Sequence, residues 1–302
     1  MFDLAAFYRF VPIDDVVDLR SSIIETCSNH DVKGTILLAS EGINGTIAGS
    51  PAGVEAVLAH LRTTAGLEDL EAKRATAGRD PFHRLKVRIK REIVSLGVGD
   101  VDVARHTGTH VPPEEWNELI KDPDVVVIDA RNDYEIAIGT FDGAINPGTR
   151  SFTGFPAWVG SDDRLAPKPR IAMFCTGGIR CEKASAWLRE QGYTDVFQLE
   201  GGILRYLEQV PADESLWKGE CYVFDRRVSV GHGLEPGTNE ICPNCNRVVG
   251  DDDRVLPGYE LGVTCPTCHE DIPADRRARF AERQHQIALA EERGTTHLGR
   301  PA

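Results

Sequence analysis

The run IAMFCTGGIRCEKA occupies residues 171–184, in the second half of the chain. Its first four residues are apolar, which is typical of a strand buried on both faces of a parallel sheet. A helix is predicted from Glu182 to Gln191, with Gly192 as its stop. Cys175 lies between the strand and the helix, at the place where open α/β sheets bind their ligands. The run therefore predicts an α/β domain with a cysteine at its functional edge.

The loop after this strand is suited to an anionic sulfur. Gly177 and Gly178 let backbone amides turn toward the sulfur of Cys175, and the helix start and Arg180 add positive charge. Cys175 is therefore the predicted nucleophile, with Arg180 as its catalytic partner; the alternative is a structural cysteine beside a glycine turn. The predicted active-site loop consists of Cys175, Thr176, Gly177, Gly178, Ile179 and Arg180.

Cys181 directly follows the loop and is a third catalytic candidate. It is either a thiol that resolves an oxidised Cys175 as a disulfide or a structural thiol packed beneath the loop, and spacing does not choose between these roles. Four residues separate Cys175 from Arg180. Because cysteine phosphatases place one residue more between the two, the smaller loop argues against phosphate as the substrate group.

Strands and helices alternate on both sides of the loop. A helix around Trp116 and an apolar run at 125–128 precede it, and a strand and a helix are predicted within 196–209. We therefore expect an α/β domain with a parallel sheet at 113–212. The preceding residues, 96–112, are rich in Gly, Thr and His and are predicted to connect two domains.

Residues 1–95 follow a different order, which reads β-α-β-β-α-β. Pro51 is suited to the first turn of the second helix, and residues 85–94 are predicted to be the closing strand. Ile43, Asn44 and Gly45 are predicted to form a turn between two strands. This order is typical of a ferredoxin-like sandwich, which makes the chain a multidomain protein of mixed α/β and α+β class.

The predicted closing strand of this first domain carries a cation at every second position. A strand conformation points these side chains to one face, where an RNA backbone could lie. The alternative, an exposed sheet face solvated by charged side chains, is about equally compatible with the pattern. The predicted RNA-binding residues are Arg84, Lys86, Arg88 and Lys90.

Residues 213–302 have no periodic pattern of apolar residues until a helix near 274–293. A region of this size without a large hydrophobic core needs a further stabilising element, such as a bound metal. Two CxxC pairs separated by nineteen residues have the spacing of a tetrahedral zinc ribbon. Four cysteine ligands would leave zinc no open position, so the predicted role is structural; the alternative is four unligated thiols. The predicted ligands are Cys242, Cys245, Cys265 and Cys268.

Composition limits the function further. The 302 residues exceed one hydrophobic core, and the formal net charge of −13 argues against indiscriminate binding of polyanions, so any RNA contact must be local. The opening residues do not resemble a secretory signal, and no apolar run is long enough to cross a bilayer. These features predict a cytoplasmic enzyme with no membrane partner.

Residues 129–135 and 143–147, together with the cysteine loop, resemble the rhodanese family, whose loop cysteine carries a persulfide. The resemblance implies that Asp129 and Arg131 form a buried ion pair that braces the domain. The chain departs from the pattern at 139–141, which read Gly-Thr-Phe where rhodaneses often have Gly-His-Ile. A generic sulfurtransferase is therefore less well matched than the family as a whole.

A narrower resemblance covers nearly the whole chain. The motifs ASEGINGT (39–46), CTGGIRCEKA (175–184) and GECYVFD (219–225) are similar, in this order, to those of the oxygen-dependent tRNA uridine hydroxylases. That family combines a ferredoxin-like domain, a rhodanese domain and a cysteine-bearing tail. The resemblance implies hydroxylation of a tRNA wobble uridine to 5-hydroxyuridine with molecular oxygen and a reductant, and an essential role for Cys175.

The residues alone do not reach this reaction. The sequence contains no evident histidine and carboxylate set for iron and no dinucleotide fingerprint, so the electron donor and the means of oxygen activation stay open. One hypothesis is that a thiolate or persulfide at Cys175 adds to C6 of uridine and enriches C5 in electrons. The alternative function is persulfide sulfur transfer of the rhodanese type.

Overall fold

The computed structural model describes residues 1–294, so the last part of the predicted C-terminal region, 295–302, lies outside the described residues. Within 1–294, no helix has both the length and the apolar composition that a membrane span requires. The described chain forms a ferredoxin-like sandwich, a rhodanese-like α/β domain and a smaller cysteine-bearing region, as the sequence predicted.

The N-terminal region is built on one five-stranded sheet of order β4-β1-β3-β2-β5. Alternate residues of its strands, such as Ile36 and Leu38, are buried against the two helices, which leaves the opposite sheet face uncovered by them. Asp15 caps the first helix by accepting a hydrogen bond of 2.9 Å from the backbone N–H of Asp18. The elements are β1 (Phe2–Phe10), α1 (Val16–Asn29), β2 (Lys33–Ala39), β3 (Gly42–Gly49), α2 (Pro51–Leu61), β4 (Lys73–Ala77) and β5 (Leu85–Ile89).

The closing strand of the sandwich was predicted wrongly. β4, which the sequence analysis missed, pairs antiparallel with β1, while β5 is a fifth strand that pairs parallel with β2 and ends at Ile89 rather than at residue 94. β4 reads KRATA, so it lacks the large apolar residues that mark a strand in sequence. Its pairing with β1 therefore becomes evident only in the folded sheet.

The predicted turn at Ile43, Asn44 and Gly45 is also wrong, because these residues lie inside β3. The chain reverses earlier, at Ser40 and Glu41. A Cβ on Gly45 would lie only 3.0 Å from the Phe7 ring, so this glycine allows close packing within the sheet and its helix-covered core.

The middle region contains a parallel sheet of four strands in the order β6-β10-β9-β7. The helix after the cysteine loop begins at Ile179, earlier than predicted, so Arg180 and Cys181 lie in its first turn. The elements are α3 (Val103–His106), β6 (Thr109–Val111), α4 (Pro113–Lys121), β7 (Val125–Asp129), α5 (Asp133–Ile136), β8 (Gly139–Phe141), α6 (Phe155–Ser161), β9 (Arg170–Phe174), α7 (Ile179–Glu190), β10 (Val196–Leu199) and α8 (Gly202–Gln209).

Both ends of the middle region involve residues expected to lie outside it. Residues 96–112, predicted as a connection, contain α3 and end in β6, the edge strand beside β10. Trp217, from the predicted C-terminal region, pairs with Phe141 of β8, and Cys221 is buried in the same core. These contacts hold the ends of the central domain against its sheet.

The C-terminal region consists of short elements around the four paired cysteines. Its long helix lies close to where the sequence predicted it. The elements are β11 (Trp217–Gly219), β12 (Cys221–Tyr222), β13 (Ser229–Val230), β14 (Glu240–Ile241), β15 (Val248–Val249), α9 (Asp251–Arg254) and α10 (Ala274–Glu292).

Candidate active site

The predicted active-site loop joins the carboxyl end of β9 to α7. Cys175 has no exposed surface, and its Sγ accepts a hydrogen bond of 3.2 Å from the backbone N–H of Gly178. Gly178 has a φ of +103°, a conformation that other residues rarely adopt. The glycine therefore allows the backbone turn that directs an N–H at the sulfur.

The surroundings of Cys175 favour its ionised form. Burial by itself raises the pKa of this thiol, but hydrogen bonding from the Cys181 thiol, the charge of Arg180 and the N–H groups of Cys181 and Gly178 outweigh burial and lower the pKa to about 5. Burial without such donors raises the pKa of the Cys27 thiol to about 11. Cys175 is therefore in the thiolate form at neutral pH.

Arg180 is held by a partner that the sequence analysis did not identify. Its guanidinium donates two hydrogen bonds to the Glu135 carboxylate, of 2.6 and 2.8 Å, and a third, of 3.2 Å, to the Thr176 hydroxyl. Glu135 is fully buried and comes from α5, at the end of the motif that resembles the rhodaneses. The bidentate pair fixes the orientation of Arg180 below the loop.

Cys181 lies beneath the loop with no exposed surface. Burial, together with the hydrogen bond to Cys175 and its negative charge, raises the pKa of the Cys181 thiol well above its usual value. This side chain is therefore a neutral thiol that donates toward the Cys175 sulfur. Its role, structural or resolving, stays a prediction.

The ion pair implied for Asp129 and Arg131 is present and fully buried, with a distance of 2.6 Å between Nη2 and Oδ2. Thr140, at the position where many rhodaneses have histidine, donates a hydrogen bond of 2.9 Å to the same Asp129 carboxylate. The Arg131 guanidinium also lies over the Trp217 ring, 5.0 Å from its centroid. The pair thus joins β7 to β8 and β11 and does not contact the sulfur.

Two side chains of the N-terminal sheet, Tyr8 and Lys73, cover the loop. The Tyr8 hydroxyl donates a hydrogen bond of 3.2 Å to Glu182 and lies so close to Gly178 that a Cβ there would be 2.8 Å from it. The Lys73 ammonium donates to the carbonyl oxygen of Gly177. Neither residue was predicted from the sequence, because strand alternation does not reveal which surface an uncovered sheet face will meet.

A buried ion cluster fixes the two domains against each other. The Lys183 ammonium, on α7, has no exposed surface and lies 2.7 Å from Glu41 and 2.6 Å from Glu92. Glu41 belongs to the ASEGINGT motif and Lys183 to the CTGGIRCEKA motif. Two motifs far apart in sequence therefore meet in one contact, which sets the sheet above the loop.

A cleft of about 1390 Å³ lies between the N-terminal sheet and the loop, with Cys175 in its lining. This volume exceeds the roughly 300–1,000 Å³ typical of sites for small ligands. Phe224 exposes 61% of its surface and packs edge-on against Tyr222, with 5.1 Å between ring centroids. The cations and aromatic residues of the lining include Arg9, Lys73, Lys90, Arg205, Arg227, Tyr8, Phe10, Phe82, Phe152 and Phe224.

The four cations predicted to bind RNA lie on and beside the edge strand β5. Arg84 precedes the strand, Lys86 and Arg88 lie within it, and Lys90 follows it. Arg84, Arg88 and Lys90 are exposed, and Lys86 is partly buried. Between them, Val87 is buried in the helix-covered core, so the alternation that the sequence predicted is present within β5.

Strand register shows which sheet face carries these cations. One row across the sheet pairs Lys73 with Ala6, Ala6 with Thr46, Thr46 with Thr35 and Thr35 with Lys86. Paired residues point to the same face of a sheet, so Lys86 shares the face from which Lys73 reaches the active-site loop. At about 4.8 Å per strand, the row spans roughly 19 Å.

The four paired cysteines converge in the C-terminal region. Their sulfur atoms all lie within 4.8 Å of one another, with distances of 3.6 Å between Cys242 and Cys268 and 3.5 Å between Cys245 and Cys265. The hairpin of β14 and β15 carries the first pair. The cluster could hold a metal ion through four thiolates.

Comparison with known proteins agrees with this division of the chain. Residues 2–93 match the family described as UPF0176 acylphosphatase like domain, and residues 112–209 match the family described as Rhodanese-like domain. The two matched regions line the cleft from opposite sides, the first with its sheet face and the second with its cysteine loop.

Curated relatives match the chain over nearly its full length. The tRNA uridine(34) hydroxylase of Agrobacterium fabrum is 53% identical over 299 residues, which cover 99% of this chain and 95% of that protein. The proteins of the same name from Acaryochloris marina and Albidiferax ferrireducens are 51% and 53% identical, over 97% and 98% of this chain and 95% and 94% of theirs. With this identity across all three regions, the chain belongs to the tRNA uridine(34) hydroxylase family.

Proposed function

We propose that this protein hydroxylates uridine 34, the wobble uridine of tRNA, to 5-hydroxyuridine, with Cys175 as the catalytic nucleophile. The overall reaction consumes one molecule of oxygen, two electrons and two protons, and it yields the hydroxylated base and water. The two electrons come from an external reductant. The single observation that carries the proposal is a thiolate at the floor of a cleft whose other wall is a cation-bearing sheet face.

The state of Cys175 suits addition to a pyrimidine. A thiolate is the nucleophilic form of cysteine, and the C6 atom of uracil is electrophilic because it is conjugated with the C4 carbonyl. Addition at C6 moves electron density to C5 and O4, and C5 is the atom that is hydroxylated. In this proposal Arg180 and Cys181 hold the charge and orientation of the sulfur, and residues Thr176 to Ile179 shape the loop.

The cleft has properties that single-stranded RNA requires. Proteins recognise unpaired bases by stacking them on aromatic rings and hold the backbone with cations. Phe224 offers an exposed ring in the cleft lining, where Lys90 and Arg205 also lie. Because the chain as a whole is strongly acidic, such local groups must provide the attraction. Arg84, Lys86, Arg88 and Lys90 would bind phosphates further along the same sheet.

The C-terminal cysteines are proposed to bind structural zinc. Four sulfurs at 2.3 Å from a tetrahedral zinc ion are about 3.8 Å apart, and the sulfur–sulfur distances of 3.5 and 3.6 Å fit this value. Cys242, Cys245, Cys265 and Cys268 would hold the ion. Bound in this way, zinc supplies folding energy and no redox chemistry.

The test uses cells that lack this protein. Their tRNA nucleosides are analysed by mass spectrometry after rescue with wild-type protein or with Cys175→Ser. We expect 5-hydroxyuridine to return with the wild type and to stay absent with the variant, provided that immunoblots show equal amounts of protein. Unchanged 5-hydroxyuridine in the deletion strain would refute the proposal. If the pure protein instead transferred sulfur from thiosulfate at ordinary enzymatic rates, the sulfurtransferase function would replace it.

A further inference from the structure

Lys73 is a cation of the N-terminal sheet that contacts the cysteine loop across the domain interface. Its ammonium donates to the carbonyl oxygens of Gly177, within the loop, and Gly201, at the start of α8. A Cβ on Gly177 would lie 3.8 Å from the ammonium. Lys73 therefore ties together the two segments of the rhodanese-like domain that border the sulfur.

The ammonium of Lys73 is partly buried, yet it lacks the carboxylate partners that such cations normally have within the described residues. Within residues 1–294, no carboxylate lies within ion-pair distance of it, whereas the buried Lys183 ammonium contacts both Glu41 and Glu92. Burial lowers the pKa of Lys73 to about 8, and the negative charge of Cys175 is the main influence that opposes this shift. The thiolate thus stands in the place of the missing carboxylate.

The charge of Arg180 also lowers the pKa of Cys175, but this guanidinium is paired with a carboxylate. Its guanidinium is engaged by both oxygens of Glu135, and the two opposite charges offset each other at a distance. The other charged groups that influence Lys73 or Cys175 are paired or exposed. Tyr8 is paired with Glu182, Arg205 with Glu200, and Cys181 with Cys175, while Glu208 is exposed.

We propose that Lys73 is a positioning residue that clamps the cysteine loop and supplies the uncompensated positive charge for the anion formed at Cys175. This inference rests on the proposed function for its substrate, a pyrimidine nucleotide. When the sulfur lone pair forms a bond to C6, the C5–C6 π electrons shift and the negative charge passes from Sγ to O4. Charge is conserved in this step, and the charge stays in the cleft that Lys73 lines.

The experiment measures the pH dependence of Cys175 alkylation by iodoacetamide, with the modified peptide quantified by mass spectrometry. Lys73→Met removes the charge, Lys73→Gln removes the charge but keeps a hydrogen-bond donor, and Lys73→Arg keeps the charge. In Lys73→Met and Lys73→Gln we expect the pH at which Cys175 alkylation reaches half of its maximal rate, the midpoint, to rise by about one unit. The alkylation rate should then fall about fivefold at pH 5 and stay unchanged at pH 9. Lys73→Arg should keep the wild-type midpoint.

Lys121→Met is the matched control, since Lys121 is an exposed lysine on α4 whose ammonium lies 3.1 Å from Glu118, and it should not affect the midpoint. A variant that only changes the access of iodoacetamide to Cys175 alters the alkylation rate by the same factor at every pH and leaves the midpoint in place. An unchanged midpoint in Lys73→Met and Lys73→Gln, or an equal fall at pH 5 and pH 9, would overturn the inference. Because no tRNA is used, this result is separate from a failure of the wild type to hydroxylate tRNA.

Discussion

The Cys175 loop and the four-cysteine cluster both bury sulfur, but they stabilise its negative charge in different ways. At Cys175 one sulfur is surrounded by fixed donors, and its pKa is lowered to about 5. In the cluster, burial and hydrogen bonding among neighbouring thiols raise the pKa of Cys245 to about 12, whereas hydrogen bonds from its neighbours lower the pKa of Cys268 to about 7. Four sulfurs within 4.8 Å cannot all ionise without a cation between them.

The difference separates reactivity from metal binding. A lone thiolate held by backbone N–H groups keeps its lone pairs available to a substrate, whereas a thiolate bound to zinc has donated them to the metal. The surrounding chain reflects this difference. The loop of Cys175 follows a strand of a four-stranded parallel sheet, while the cluster lies at the two-stranded hairpin of β14 and β15, in a small core of its own.

The largest expected effect comes from removing one ligand of the cluster. Structural zinc contributes about 10–16 kcal/mol in isolated zinc-finger peptides, so Cys265→Ser should lose the metal and unfold the C-terminal region at lower temperature. Metal analysis and limited proteolysis measure both effects. Cys175→Ser is the reciprocal control and should keep full metal content. Retention of stoichiometric zinc by Cys265→Ser would contradict the assigned ligand set.

A second expected effect concerns Arg180. In Arg180→Met the buried Glu135 carboxylate loses its partner, which should reduce the free energy of unfolding by about 3–5 kcal/mol in urea titrations. The double change Arg180→Met with Glu135→Met should recover much of this loss, because no buried charge is left alone. If the single and double variants were equally destabilised, packing rather than charge would explain the role of the pair.

The third prediction concerns the pH dependence of the two sulfur sites in the wild type. A lowered pKa means that the thiolate persists above the midpoint and is lost as pH falls through it, so Cys175 alkylation should be half-maximal near pH 5 and about tenfold below its plateau at pH 4. Cys242 and its three partners should react at pH 7 only after a chelator removes the metal. If Cys175 and the four cluster cysteines were equally resistant to alkylation before the chelator is added, the proposed difference between the two sites would be wrong.

The smallest expected effect tests a cation at the opposite end of the strand row from Lys73. Lys86→Ala should weaken tRNA binding a few-fold and reduce the salt dependence of the logarithm of the binding constant by about one unit, because one phosphate contact is lost. Neither Cys175 alkylation nor metal content should change. Lys121→Ala, an exposed cation on α4, serves as control. Indistinguishable salt slopes for the two variants would exclude β5 from the RNA path.

The difference between a reactive cysteine and a cluster of potential metal ligands could largely be predicted from the sequence alone. Both sulfur sites are marked by short sequence patterns, because chain geometry limits which groups can meet over a few residues. These patterns are the four-residue interval between Cys175 and Arg180, the glycine pair and the two CxxC pairs. Three strands of the central sheet, β7, β9 and β10, were also evident, since a strand buried on both faces needs a continuous apolar run, whereas the short edge strand β6 was missed. Local spacing and burial therefore determined the two sulfur sites and the central α/β fold.

Only the tertiary structure decided what surrounds the reactive sulfur. Glu135 as the partner of Arg180, the contact of Lys183 with Glu41, and the position of Lys73 above the loop depend on residues 45 or more positions apart in the chain. Such contacts follow from the packing of the N-terminal sheet on the rhodanese-like domain. Periodicity assigns a side chain to one face of its strand, but the surface which that face meets is set by the assembled fold.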